Sequence, residues 1–170
     1  MTFNSSVCIG YATYEGKLDL SGNTSGGSTL YLKQILYNSK SCSELILPNR
    51  VLTYYYDSSS GNVAKLSIPS MTSYCASTFS GVGSPAAYAQ TIYTKDLNTG
   101  EYIQITDFNP GDWFISSINA YAFYGCAAIN SYDATGVKDH EYGTFYKSGI
   151  KNLKLDNFNG SGTISSYAFA

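Results

Sequence analysis

The feature that most constrains this chain is an aromatic motif that returns at a nearly constant interval. Phe123, Phe145 and Phe169 are separated by 22 and 24 residues, and a tyrosine precedes each of them by two or three residues. Phe79 lies 44 residues before Phe123, which is two such intervals. A period of roughly 20–50 residues is typical of solenoids, in which each unit leaves an apolar face that only its neighbour can cover. We therefore predict a series of stacked coils.

A second, apolar pattern recurs in its own phase. Residues 42–48 (CSELILP) are echoed by residues 64–69 (AKLSIP), and the prolines that end the two copies are 21 residues apart. Weaker copies stand at 126–129 (CAAI) and 153–155 (LKL), and residues 18–23 (LDLSGN) have the L-x-L-x-x-N form of leucine-rich repeats. Such repeats have a period of about 20 to 29 residues. We interpret each copy as a short strand with its leucines inside a coil.

One copy makes the resemblance more specific. Residues 118–129 (INAYAFYGCAAI) resemble the BspA-like leucine-rich repeat, which runs I-x-x-x-A-F-x-x-C-x-x-L and continues into an extended L-x-I-P segment. The resemblance extends over most of 42–81 and 115–170, and more loosely over 10–38. It implies a solenoid in which the phenylalanine and positions such as Cys42 and Cys126 fill the interior. Since the family pattern would continue beyond Ala170, we expect an unusual C-terminus or a fragment.

The predicted fold class is a β-rich leucine-rich-repeat solenoid with short strands, little helix and an inserted β-hairpin. We divide a single domain, 1–170, into degenerate N-terminal coils (1–41), repeats (42–81), a hairpin insertion (82–114) and further repeats (115–170). The hairpin is predicted because β-forming runs flank a glycine-closed turn at 95–100. An antiparallel β-sandwich is the alternative, although a sandwich gives no reason for a fixed aromatic interval.

No catalytic, cofactor or metal site is predicted, and we expect no enzyme. The one histidine, His140, stands among charged residues and is expected in a solvated loop. The four cysteines lack C-x-x-C spacing and neighbouring histidines, so we expect buried free thiols rather than nucleophiles, metal ligands or a disulfide framework. Residues 107–112 (DFNPGD) are oxygen-rich but have too few acids for a calcium loop.

Charge and hydropathy exclude two kinds of partner. Ten basic residues nearly balance twelve acidic ones, and Arg50 is the only arginine, so no phosphate-binding surface is expected and nucleic acid is not a predicted partner. No stretch approaches the roughly 20 apolar residues of a membrane span, and the first residues do not have the form of an export signal. The missing export signal has three explanations, which are a cytoplasmic protein, a virion component or a chain whose signal peptide has been removed.

Two sets of residues are candidates for ligand contact. In leucine-rich repeats the side chains between the strand leucines line one face, which implies Asp19, Glu44, Ile46, Lys65, Ser67, Asn130 and Lys154 here. The many tyrosines cannot all fit inside so small a core, and exposed tyrosines suit recognition. The candidate exposed aromatics are Tyr54, Tyr55, Tyr56, Tyr93, Tyr102 and Trp113. The alternative is that they form cross-strand ladders that stiffen the sheet.

The resemblance implies a non-catalytic recognition module that binds a protein or glycan on a cell surface, because BspA-like repeats occur in surface adhesins. Such a module would be extracellular or at the cell surface. The low charge and the Tyr-, Ser- and Gly-rich composition keep a virion structural protein open, such as a phage fibre or capsid decoration that contacts neighbouring virion subunits. A third hypothesis is a carbohydrate-binding module. We expect specificity to reside in the non-repeating segment 82–114.

Overall fold

The chain winds into a β-solenoid of about five turns. The structure, a computed structural model, describes residues 7–8, 15–23, 30–33, 41–55, 61–80, 83–155 and 162–170. Of the eleven strand pairings in these segments, ten are parallel and one is antiparallel. The β-rich solenoid with little helix is confirmed, and the antiparallel sandwich is wrong.

Two sheets form the N-terminal part of the solenoid. The first contains β2 (Glu15–Asp19), β4 (Ser41–Ile46), β6 (Val63–Ile68), β8 (Ala89–Lys95) and β9 (Tyr102–Ile105), and only β9 is antiparallel to its neighbour. The second contains β1 (Val7–Cys8), β3 (Leu30–Lys33), β5 (Leu52–Tyr55) and β7 (Thr78–Phe79). Strand β8 pairs in parallel with β6, so the parallel stack continues into the segment 82–114.

Two three-stranded sheets form the C-terminal part. One contains β10 (Asp107–Phe108), β12 (Ser131–Asp133) and β14 (Asn152–Lys154), and the other contains β11 (Ser117–Ile118), β13 (Asp139–His140) and β15 (Thr163–Ile164). Every pairing in these sheets is parallel. Each coil therefore contributes one short strand to each of two sheets.

Strand alternation explains the core of the N-terminal part. Successive side chains of a strand point to opposite faces, so a parallel register places the same face of each coil inside. Leu18, Leu45, Leu66 and Ile92 stand in register on four adjacent strands and are at most 9% exposed. The apolar pattern assigned Leu18, Leu45 and Leu66 to the interior, whereas Ile92 lies in the segment 82–114, which was predicted not to follow the repeat.

A stack of phenylalanine rings fills the C-terminal part. Phe123 and Phe145 lie 5.1 Å apart at an interplanar angle of 6°, and Phe145 and Phe169 lie 5.5 Å apart at 9°. Phe79 does not join this stack, because it lies on β7 and packs against Tyr54 and Tyr74. The two-period relation between Phe79 and Phe123 therefore does not reflect equivalent positions.

A short helix takes the place of a repeat turn before the phenylalanine stack. Helix α1 (Met71–Cys75) is capped by the Ser70 side chain, which accepts a hydrogen bond from the Ser73 N–H. The Tyr74 ring lies 5.5 Å from Phe123, and its hydroxyl donates to the Ala122 carbonyl at 2.8 Å. Tyr74 thus supplies the aromatic neighbour that a phenylalanine supplies in the later coils.

The cysteines belong to the core. Cys42, Cys75 and Cys126 are buried free thiols, as the spacing predicted. Burial raises the pKa of all three thiols, that of Cys126 to about 11, so they are protonated at neutral pH. The side chain of Cys8 lies outside the described residues.

Candidate recognition site

The outward face of the N-terminal sheet brings several predicted contact residues together in an ion network. The Glu44 carboxylate lies 3.2 Å from the Lys17 ammonium and 2.9 Å from that of Lys65. The Ser67 hydroxyl donates to the same carboxylate at 2.8 Å. Hydrogen bonds from Lys65, Ser67 and Lys17 hold the pKa of Glu44 at about 2 despite partial desolvation. The Glu44 carboxylate is fully engaged by these partners, whereas the Lys17 and Lys65 side chains are 52% and 37% exposed.

The other predicted face residues do not complete one continuous site. Asp19 accepts hydrogen bonds from the backbone N–H and hydroxyl of Ser21, which lower its pKa. Ile46 is 8% exposed and Ser67 is fully buried. Asn130 and Lys154 belong to the C-terminal part, where Asn130 is exposed and Lys154 pairs with Asp133 at 3.0 Å. Five of the seven residues therefore lie on the N-terminal sheet, whereas Lys154 lies on β14 and Asn130 directly precedes β12.

Two of the predicted exposed aromatics are buried. Tyr54 is 1% exposed because its position on β5 points inward, towards Phe79. Trp113 is 5% exposed, and its indole N–H donates to the Lys95 carbonyl at 3.0 Å while its ring packs on Phe108. The prediction that these two side chains are exposed is wrong.

The remaining predicted aromatics have different surroundings. Tyr93 is half-buried, its hydroxyl donates to Gln104 at 3.1 Å, and the Lys65 ammonium lies 4.6 Å from its ring centroid. Tyr102 is also half-buried, and the Lys95 ammonium lies 5.7 Å from its ring. The side chain of Tyr55 and all of Tyr56 lie outside the described residues.

A groove of about 620 Å³ lies at the sheet of β10, β12 and β14. The Asp133 carboxylate accepts from Thr135 and pairs with Lys154, and these bonds hold its pKa at about 2. Asp112 accepts from Asn109 at 3.1 Å. The described residues that line the groove are Asp107, Phe108, Asn109, Asp112, Ser131, Tyr132, Asp133, Lys151, Asn152, Leu153 and Lys154. None of the described residues that line the groove is a histidine or a cysteine that could act as base or nucleophile.

A cluster of five tyrosines lies on the turns that follow β11, β13 and β15. Their ring centroids are 5.5 to 6.0 Å from their neighbours, and each ring contacts at least two others. Tyr142 is 45% exposed and Tyr167 is 56% exposed, whereas the other three are half-buried. We call this set the tyrosine cluster; it consists of Tyr121, Tyr124, Tyr142, Tyr146 and Tyr167.

The backbone of the repeat turn explains how the cluster forms. Tyr121, Gly143 and Tyr167 occupy equivalent positions with φ of 61°, 64° and 60°. In the middle coil the tyrosine stands one residue earlier, and the Tyr142 ring lies 5.5 Å from Tyr121 and 5.6 Å from Tyr167. A Cβ atom on Gly143 would come within 2.9 Å of the Tyr121 ring. Because glycine has no Cβ atom, the Tyr121 ring can pack directly against the backbone at this position.

The turns that bear the cluster are fixed by repeated backbone hydrogen bonds. Phe123 N–H donates to the Thr144 carbonyl at 2.8 Å, and Phe145 N–H donates to the Ala168 carbonyl at 2.7 Å. The Phe123, Phe145 and Phe169 stack lies in the same turns. The exposed rings are thus attached to an ordered support, which reduces the entropy lost when a partner binds.

Tyr121, Tyr142 and Tyr167 mark the aromatic interval in the sequence, but none of the five tyrosines was predicted as a contact residue. The signal was nevertheless present, because Tyr121 and Tyr124 occupy variable positions of I-x-x-x-A-F-x-x-C. A tyrosine that recurs where the interior of a coil does not require it is a candidate for the surface.

Comparison of the chain with protein-family models, curated proteins and solved structures found no match. In the described part of the chain, no helix is both long and apolar enough to cross a membrane. Nor do three His, Cys, Asp or Glu side chains of the described residues come together in a way that could hold a metal ion.

The prediction that His140 lies in a solvated loop is wrong. His140 is buried and lies on β13. It stands in register with Ile118 and Ile164, and its Nε2 lies 2.6 Å from the Tyr132 hydroxyl. Desolvation lowers its pKa from 6.5 to about 4, although the charge of Asp139 opposes this shift. A neutral, enclosed imidazole is a core residue here.

We expect the free energy of unfolding to fall as the pH drops from 6.5 to about 4. Across this window the unfolded chain binds a proton at His140 that the folded chain excludes. Below about 4.5, Glu44 and Asp133, whose folded pKa values are about 2, cause a further loss. Urea denaturation at pH 7, 5 and 4 measures the effect. His140→Gln removes this titration, so a wild-type loss of stability between pH 7 and pH 5 in that variant would contradict the assignment.

Proposed function

We propose that this chain is a non-catalytic recognition module that binds a protein or glycan on a cell surface through the tyrosine cluster. It would act at the cell surface or outside the cell. The observation that carries the proposal is the group of five contacting tyrosine rings, two of which are about half exposed. Tyrosine offers large contact area, a hydroxyl and little conformational entropy to lose, and it is enriched at binding hot spots.

The state of the ionisable groups supports recognition rather than catalysis. His140 is neutral and enclosed, and Cys75 and Cys126 are buried thiols whose pKa values are raised. The carboxylates of Glu44 and Asp133 are occupied by lysines and hydroxyls. None of these groups combines exposure with the shifted pKa that a general base or nucleophile near neutral pH needs.

We also propose that the coils are degenerate BspA-like leucine-rich repeats. In the copy that best matches the pattern, Phe123 and Cys126 are fully buried, as that repeat requires. The paired strands of successive coils are displaced by 21 to 24 residues in the C-terminal part, for example between Asp107, Ser131 and Asn152. The location of specificity in 82–114 is a prediction from the sequence, and the tyrosine cluster is the rival location proposed here. Tyr93 and Tyr102 lie within 82–114, so a variant at these two positions tests one location against the other.

The proposal predicts that removing the two most exposed rings weakens binding to cells. We expect Tyr142→Ser/Tyr167→Ser to bind with about tenfold or lower affinity, because each lost hot-spot ring costs on the order of 1 kcal/mol or more. Fluorescently labelled protein is titrated onto a panel of epithelial and bacterial cells and measured by flow cytometry. Trypsin or periodate treatment of the cells separates a protein partner from a glycan.

The matched control is Tyr93→Ser/Tyr102→Ser, which makes the same change on the N-terminal sheet. We expect this variant to bind like the wild type, and both variants must retain a cooperative thermal transition. Equal binding by the cluster variant and the wild type would refute the proposed surface. Absence of saturable binding to any cell would refute the function, and defined self-assembly in its place would favour a virion structural role.

A further inference from the structure

The groove at the sheet of β10, β12 and β14 has a row of polar side chains that runs across it. Its volume of about 620 Å³ lies in the range of small-ligand sites. Asp107, Ser131 and Asn152 stand in parallel register on the three strands, and Lys151 directly precedes Asn152. All four residues line the groove. The row therefore begins at an acidic side chain on β10 and ends at a basic side chain beside β14.

The charged groups at the two ends of the row are exposed and not neutralised. Within the described part of the chain, neither Asp107 nor Lys151 forms an ion pair. The Asp107 carboxylate accepts a hydrogen bond only from the neighbouring Thr106 hydroxyl, at 3.1 Å. Asp112, on the short 3-10 helix that follows β10, adds a second exposed carboxylate to the acidic end. Both ends therefore retain charge that a ligand can use.

The centre of the groove, by contrast, is electrically neutral. Asp133 on β12 pairs with Lys154 on β14 at 3.0 Å, so these two charges cancel. The Asn152 amide donates to the Ser131 hydroxyl at 3.4 Å, and neither side chain carries a charge. The groove is thus polarised, with an acidic end at β10, a basic end at β14 and a neutral polar centre between them.

We propose that this groove binds a linear peptide segment that carries a cationic and an anionic group about 10 Å apart. This is the separation of β10 and β14, which are two strand spacings apart. The cation would face Asp107 and Asp112, and the anion would face Lys151. Complementary charges steer a partner to such a surface and fix its orientation. Because three extended residues cover about 10 Å, a lysine three positions from a glutamate has the required spacing.

The lining of the groove favours a charged peptide over a neutral sugar. Phe108 and Tyr132 are each 1% exposed, so the described lining residues offer no aromatic face on which a sugar ring could stack. Leu153 is 43% exposed and can contact the aliphatic stem of a bound lysine or arginine. The groove therefore combines apolar contact with two separated charges of opposite sign.

The test titrates the ¹⁵N-labelled whole chain, at low salt, with the peptide acetyl-Lys-Ser-Ser-Glu-amide. We expect saturable NMR shifts of the backbone amides that border the groove, with a Kd on the order of 1 mM or tighter. Asp107→Asn and Lys151→Gln are each expected to weaken binding about threefold. Glu101→Gln and Lys138→Gln remove exposed charges outside the groove, and these matched controls are expected to leave the Kd unchanged.

Removing one charge from the peptide identifies the group that it contacts. Asp107→Asn is expected to have no effect on a peptide in which glutamine replaces the lysine. Lys151→Gln is likewise expected to have no effect on a peptide in which glutamine replaces the glutamate, because each interaction is then already absent. The peptide acetyl-Lys-Glu-Ser-Ser-amide has the same composition but adjacent charges, and it is expected to bind more weakly.

The proposal is overturned if the peptide gives no saturable shifts or if acetyl-Gln-Ser-Ser-Gln-amide binds equally well. Equal binding of the peptide with adjacent charges, unchanged binding to the two groove variants, or shifts from cellohexaose but not from the peptide would also overturn it. The site does not use the tyrosine cluster, so Tyr142→Ser/Tyr167→Ser is expected to bind the peptide like the wild type. Loss of peptide binding in that variant would contradict the groove, whereas its loss of cell binding tests only the proposed function.

Discussion

Replacing Phe145 by alanine is expected to lower the free energy of unfolding by about 3–5 kcal/mol. Phe145 is 1% exposed and stacks between Phe123 and Phe169, with the Tyr132 ring 4.4 Å from its centroid. Its loss opens a cavity that the hydrogen-bonded coils on either side cannot close. Urea denaturation followed by circular dichroism at 218 nm, in the β-sheet range, measures the change.

The matched control for this substitution is Phe114→Ala. Phe114 is 87% exposed, so the same chemical change is expected to alter the free energy of unfolding by no more than about 0.5 kcal/mol. Equal destabilisation by the two variants would show that the phenylalanine stack is not the interior of the solenoid.

The second large effect is expected from Gly143→Ala. The residue has φ of 64°, where a side chain costs about 1–2 kcal/mol, and its new Cβ would lie 2.9 Å from the Tyr121 ring. We expect a loss of about 2 kcal/mol or more in the free energy of unfolding, together with displacement of Tyr121. Urea denaturation gives the stability, and the cell-binding titration reports the state of the cluster.

Gly136→Ala separates the two causes of the Gly143→Ala effect, which are backbone strain and the close approach of the new Cβ atom to the Tyr121 ring. Gly136 has φ of 85°, but a Cβ there would meet nothing within 4 Å. This variant is expected to lose stability through backbone strain alone and to bind cells like the wild type. If both glycine variants bind equally well at a temperature where both are folded, the close approach of Gly143 to Tyr121 does not shape the recognition surface.

The repeat interval predicted the stacked coils and the interior of the turn that best matches the repeat pattern. Phe123 and Cys126 are fully buried, and Leu45 and Leu66 form part of the predicted ladder. Such positions can be found from sequence because a solenoid imposes the same environment at each return of the period.

Positions that depend on contacts outside the period were not predictable. A run of three tyrosines at 54–56 contains at least one inward position, but the run itself does not say which; the structure assigns Tyr54 to the core. Trp113 is buried because its indole N–H reaches the Lys95 carbonyl, 18 residues away. His140 is buried by the register of β13 between β11 and β15. These outcomes depend on tertiary register, which a local pattern does not contain.

The ion network on the N-terminal sheet also depends on strand register, which a local sequence pattern does not contain. Glu44, Lys65 and Ser67 were predicted to share a face. Lys17 was not in that set, and its contact with Glu44 depends on a register shift between Gly16 and Lys17. Gly16 stands beside Cys42, whereas Lys17 stands beside Glu44 and not Ser43. Because of this one-residue irregularity, the Lys17 ammonium is within 3.2 Å of the Glu44 carboxylate.

The central claim, that the chain recognises a cell-surface partner through the tyrosine cluster, is tested most directly by tyrosine footprinting. Wild-type protein, free or bound to cells, is nitrated briefly, and modified peptides are quantified by mass spectrometry. We expect Tyr142 and Tyr167, which are 45% and 56% exposed, to react in the free protein and to be protected in the bound protein, while Tyr93 reacts equally in both. Undiminished nitration of Tyr142 and Tyr167 in the bound protein would contradict the account.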